Sequence, residues 1–344
     1  MTKTTSATAP VPAHPPGPLR TVLGLVAVAA CLPYISLKVA WVLGGGIGIP
    51  EGSPLRENGG MLIAVNALGV VLDSLVIVLV LALTRPWGQR LPSWLTALPL
   101  WAATGLLSPI LAAFPVQLLH GAVAGDTGAP ARGATQSELL DGWVWNTVYT
   151  GFILQALALG TLFVLYGRAR WGHLLTGPVT PAGSEQPAVR LSFALFASSV
   201  VLLPGLVHGM WAAGADTGLN PERRAAQSTD TGITEGAFAL FAVLTVVGLL
   251  LAARRRGERP LLAPLVLVWT GSGVLACWGA WLAFNSLTGL GGVAAKEPTA
   301  MMLATYSVQM LTGLAIASFG ARLLIRRAAL PRTSPLPAIQ WHSV

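Results

Sequence analysis

The chain has 344 residues, 53% of them hydrophobic and only 10% charged, where a soluble domain carries about 25% charged residues. That deficit excludes an ordinary water-soluble globule and points to lipid as the solvent of most side chains. The net charge of +8 is spread over many short segments, which excludes a nucleic-acid-binding surface, since that requires one contiguous basic patch.

Residues 1–19 are rich in Thr, Ala and Pro, too poor in apolar side chains to fold, and read as a disordered cytoplasmic tail. Uninterrupted apolar stretches of membrane-crossing length follow at 21–43, 61–83, 94–118, 143–165, 191–213, 234–252, 261–284 and 300–324. Backbone groups in hydrocarbon must bond within their own segment, so each stretch is predicted to be a helix. The fold class expected is therefore all-α, a polytopic bundle of eight transmembrane helices. The segment 328–344, with three prolines, is expected to be a second cytoplasmic tail.

Orientation follows from the Lys/Arg bias. The termini and even-numbered turns hold 15 basic residues, among them Lys3, Arg20, Arg85, Arg168, Arg254 and Arg326; the other turns hold five, Arg56, Arg132, Arg223, Arg224 and Lys296. Ten of the acids lie on the side poor in base. Both termini are expected in the cytoplasm, with the chain multi-pass in the cell membrane and the bilayer as its first partner. Val28-Ala29-Ala30-Cys31 resembles a lipoprotein cleavage box, but the apolar run continues past Cys31, where mature sequence would turn polar.

The two halves of the chain resemble each other. Lys38, Trp41 and Gly44 of the first span match His208, Trp211 and Gly214 of the fifth at a common offset of 170. The turns holding Arg85, Gly88, Arg90 and Arg254, Gly257, Arg259 match at 169, and Trp101 and Gly105 match Trp269 and Gly273 at 168. Tryptophan is scarce, so matched pairs in register suggest two tandem four-helix halves, 20–168 and 190–327. An even number of spans keeps both halves the same way up, so they are expected to relate by a pseudo-two-fold axis along the membrane normal.

Polar side chains inside the spans carry the functional expectations. Asp73, near the middle of the second span, shares a helix face with Asn66 and Gly69; it is the candidate acid if the protein is an enzyme or proton-coupled. Lys38 lies ~9 Å inside its helix end, on a face with Tyr34 and Trp41. It could snorkel to the headgroups, but the matching His208 could not reach as far. Glu235 stands at the position matching Asn66. Lys38, Trp41, Asn66, His208, Trp211 and Glu235 are the candidate substrate-binding residues. Together with Asn146, Gln155, Asn285, Gln309 and the Trp278/Trp281 stripe, they suggest a polar, Trp-lined cavity between the halves, open to the outside.

Other chemistries find no signature. Cys31 and Cys277 stand alone in apolar runs, and no Cys/His cluster has metal-ligand spacing, so neither a metal nor a cofactor is expected. No GxxxxGK[ST] phosphate loop and no HExxH is present. Three functions stay open. A transporter or permease would move a small-molecule solute, driven by an ion or by a separate ATPase subunit. A membrane-embedded enzyme would act on a lipophilic isoprenoid or lipid substrate, with Asp73 as acid. A non-catalytic assembly, immunity or sensor component would use its buried charges only to pair with each other.

Overall fold

A computed structural model describes residues 17–57, 59–124, 140–176, 187–253, 262–288 and 297–328. Residues 1–16 and 329–344 of the expected tails, Arg132, Lys296 and the turn holding Arg254, Gly257 and Arg259 lie outside them. Eight long helices carry the fold: α1 (Pro18–Val42), α2 (Gly59–Thr84), α3 (Ser93–Ala124), α4 (Gly142–Thr176), α5 (Pro187–Ala212), α6 (Thr229–Ala253), α7 (Leu262–Thr288) and α8 (Ala300–Ala328). All eight are long and apolar enough to cross a membrane, and no strand occurs among the described residues.

Helix ends extend beyond the apolar runs that reveal them. α1 begins at Pro18, inside the segment expected as tail; α3 continues to Ala124 and α4 to Thr176. Backbone hydrogen bonding does not stop where hydropathy falls, and a proline at the first turn favours a start because its missing N–H is not needed there. Pro33 in α1, Pro204 in α5 and three prolines in α3 sit within helices, as membrane helices tolerate.

The packing order is simple. α1 packs on α2 and α4, while α5 packs on α6 and α8; α7 packs on α6 and α8, and α3 on α4. The two sets meet where α3 packs against α7 and α6. Large apolar side chains such as Leu25, Leu75, Phe196 and Leu206 point outward, the arrangement expected when the surrounding solvent is hydrocarbon. Buried apolar cores form within each set, one around Leu79, Leu100, Leu162 and Tyr166, another around Val201, Leu249, Leu275 and Ile316.

Close backbone approach at glycine sets the junction. A Cβ on Gly105 of α3 would overlap the Gly273 backbone of α7. Across the same junction Trp101 donates to Ser272 Oγ at 3.1 Å, Trp278 to the Leu106 carbonyl at 3.1 Å, and Gln117 to the Asp230 carbonyl at 2.9 Å. Removing side chains lets helices approach closely enough for dispersion and side-chain bonds to hold them where lipid supplies no hydrophobic drive.

Two loops on one face of the bundle repeat each other bond for bond. After α1, the Trp41 indole N–H donates to the Ile47 carbonyl at 2.7 Å; after α5, that of Trp211 donates to the Thr217 carbonyl at 3.0 Å. Gly44 and Gly214 both have φ of 88°, and Gly48 and Gly218 have 71° and 76°, in the left-handed region that glycine enters without a Cβ penalty. Arg56 donates to the Ile49 carbonyl at 2.7 Å and Arg224 to the Leu219 carbonyl at 3.1 Å. A short helix follows in each loop, Pro54–Glu57 and Pro221–Ala225.

On the opposite face, Arg170 and the Tyr166 hydroxyl both donate to the Gly88 carbonyl, at 3.1 and 3.0 Å. Arg170 also donates to the Leu91 carbonyl, tying the 86–90 turn to α4. A Cβ on Gly88 would overlap the Ala82 carbonyl. Gly88→Ala is therefore expected to force that turn off the end of α2, disturbing its bonds to Tyr166 and Arg170, and to cost ~1–3 kcal/mol, as overpacking does, read as a lower unfolding midpoint in detergent.

Candidate functional site

The buried polar residues fall into two groups, one in each set of helices. In the second set, His208 stands one turn before the end of α5 and is 1% exposed. Its Nδ1 lies 2.5 Å from Glu235 Oε2 on α6, and its Nε2 lies 2.9 Å from Gln309 Oε1 on α8. The other Glu235 oxygen accepts from Arg223 Nη2 at 2.6 Å. One carboxylate is thus held by two bases arriving from different elements.

Local chain chemistry delivers Arg223 to that position. The Asn220 side chain accepts from the Arg223 backbone N–H at 2.9 Å, an N-cap that starts the short helix with Pro221 in its first turn. The guanidinium then points down onto Glu235. Burial works against its charge, but the Glu235 carboxylate more than offsets this and raises the Arg223 pKa above the ordinary arginine value. Trp211, Phe238 and Tyr306 pack around the imidazole with ring centroids 5.5, 5.1 and 6.4 Å away. The imidazole and the carboxylate are buried, while the Arg223 side chain stays partly exposed.

In the first set, Lys38 also stands one turn before its helix end, on α1, and is 6% exposed. Its Nζ lies 4.3 Å from the centroid of the Tyr34 ring, a cation–π contact. The side chain runs through the notch left by Gly69 on α2, where any Cβ would overlap Nζ. Asp73, one turn further along α2 and 8% exposed, lies within electrostatic reach of Lys38. Yet among the described residues no ion pair of 4.0 Å or less joins them, and Asp73 Oδ2 is buried with no hydrogen-bond partner. Asn66 is buried on the same face of α2.

Of the residues singled out in the sequence, His208, Trp211 and Glu235 come together, and Lys38, Asn66 and Asp73 lie along the facing sides of α1 and α2. The polar edges of Trp41 and Trp211 are taken by their own loops, so each holds a loop closed over its helix end. Gln155 donates to Cys31 Sγ at 2.7 Å, linking α4 to α1. The Trp278/Trp281 stripe divides: Trp278 bonds α3, while Trp281 is 42% exposed and Asn285 turns back to its carbonyl. Arg223 is the participant that the sequence reading counted only as a loop charge. Its signal was the Asn-Pro pair before it, which begins a helix and fixes where the third residue points. Among the described residues no three His, Cys, Asp or Glu side chains converge as metal ligands.

An all-helical chain with eight membrane-crossing helices and buried ionic groups inside them is a multi-pass integral membrane protein. Comparison with known protein families, with curated proteins and with solved structures finds no match.

Proposed function

We propose that this protein is a transporter of the cell membrane, built from two tandem four-helix repeats, with both termini in the cytoplasm. The observation that carries this reading is the Arg223–Glu235–His208–Gln309 network. Ionic groups within membrane helices are costly and in general mark solute or ion pathways. This one runs from a loop helix to the interior of the bundle, along three helices of one set.

Several observations support the repeat. The loop bonds of Trp41 and Trp211, the φ angles of Gly44 and Gly214, and the positions of Lys38 and His208 all recur at one spacing of 170 residues. Gly105 and Gly273, themselves matched in sequence, meet each other at the junction of α3 and α7, as matched positions do on a two-fold axis. The basic residues gathered at the termini and even-numbered turns support a cytoplasmic location for that side, with the two loop helices facing outward. Lys38, Asn66, His208 and Glu235 are the polar solute contacts, and Asp73 is the proton carrier if the proton drives movement. A separate ATPase subunit would replace that role if ATP drives it.

A second reading rests on Asp73 Oδ2, which is buried without a partner beside the Lys38 and Tyr34 side chains. A carboxyl group so placed is the proton donor an enzyme acting on a lipophilic substrate would need. One experiment separates the two. Purified protein in sealed vesicles is expected to move a solute from a broad panel, with Asp73→Asn abolishing accumulation against a gradient. Turnover of an added isoprenoid or lipid without solute flux would favour the enzyme instead.

A further inference from the structure

The two polar groups occupy matching places but are satisfied to different degrees. In the second set each charged atom meets a partner: both Glu235 oxygens and both His208 nitrogens are within 2.9 Å of another polar side-chain atom. In the first set Asn66 stands where Glu235 would be. Arg56 is turned to a backbone carbonyl of its own loop. The remaining acid, Asp73, is two turns deeper than Asn66, and Lys38 extends toward it without touching it. Opposite charges, each more than nine-tenths buried, are thus left facing one another with a carboxylate oxygen that no protein group serves.

Burying a charge without a partner is expensive, and breaking a pair costs more than never forming it. An arrangement that keeps two such groups near each other but apart fits an occupant that bonds both. The occupant must bring an anionic group to Lys38 and an N–H donor to Asp73. We infer that Lys38 and Asp73 of the first set form a site that takes a zwitterion with an ammonium and an anionic group. This rests on the tandem-repeat reading above. The same chemistry comes from a free amino acid or from an ethanolamine phospholipid headgroup.

The test uses the full chain purified in detergent, with glycine and β-alanine as free zwitterions, acetate and methylammonium as single-charge controls, and phosphatidylethanolamine against phosphatidylcholine as the headgroup pair. A bound occupant raises the unfolding midpoint in proportion to the logarithm of its concentration above Kd. The expected result is a rise with a zwitterion and none with either single charge. Lys38→Met and Asp73→Asn should each remove that rise, while Gly88→Ala, outside the site, lowers the starting midpoint but keeps the increment. A rise with phosphatidylethanolamine and none with glycine or β-alanine assigns the headgroup as the source. No rise with any zwitterion, or a rise that survives both first-set substitutions, overturns the proposal. Vesicle flux keeps this separate from transport itself. Flux insensitive to Lys38→Met and Asp73→Asn removes the site and leaves the transporter; a Lys38- and Asp73-dependent rise without flux does the reverse.

Discussion

Glu235→Ala is expected to lower stability by ~3–5 kcal/mol, because it strips the shared acceptor from the buried His208 and the part-buried Arg223 at once. His208 and Arg223 both point at this one carboxylate, at 2.5 and 2.6 Å. Without it, the imidazole keeps only Gln309, and the guanidinium loses its counter-charge. Three helices and a loop helix are joined through this residue, so the loss should be cooperative rather than local. Glu235→Gln retains the shape and one acceptor and should cost less. Reversible unfolding in mixed micelles would measure both. A double-mutant cycle with His208→Phe would report the coupling between the partners, expected in the range of ~0.5–3 kcal/mol for groups in one network. Equal, small losses for the two Glu235 variants would mean that the network carries no weight in the fold.

The fold was readable where the solvent dictates it. Lipid demands long apolar helices, and the residues from Thr21 to Leu324 announce eight of them by hydropathy alone. That Lys38 and His208 each stand one turn before a helix end was also readable, from apolar runs that close around Trp41 and Trp211. What hydropathy cannot show is the direction of a long side chain. Lys38 had the option of rising to the headgroups; Gly69, by lacking a Cβ, gives it a path across α2 instead. Nor could spacing reveal that Trp41 and Trp211 spend their N–H on loop carbonyls. That depends on left-handed glycines, which shape the loop after the helix has ended. Arg223 was hidden for a related reason: its place follows from a cap at Asn220, a local hydrogen bond that charge counting ignores.

Gly105→Val should have the other large effect, and a different kind of effect. At this crossing of α3 and α7 a Cβ would overlap the backbone of Gly273, and a Cβ on Gly273 would lie 2.9 Å from the Trp101 carbonyl and 3.1 Å from the Gly105 Cα. The obstacle is backbone on both sides, so no rotamer change relieves it; the helices must part. Separation would stretch the bonds from Trp101 to Ser272 and from Trp278 to the Leu106 carbonyl. Overpacking of this sort costs ~1–3 kcal/mol and more where backbone must move. The junction of α3 with α6 and α7 should loosen first, because the buried residues of the cores around Leu162 and Val201 lie to either side of it. Unfolding of Gly105→Val is therefore expected to show an early step absent from the parent chain, read by fluorescence in variants whose other tryptophans are replaced so that Trp101 or Trp278 reports alone, with the Glu235 network persisting to higher denaturant. One unshifted transition, with wild-type fluorescence, would show that the two sets are held together elsewhere.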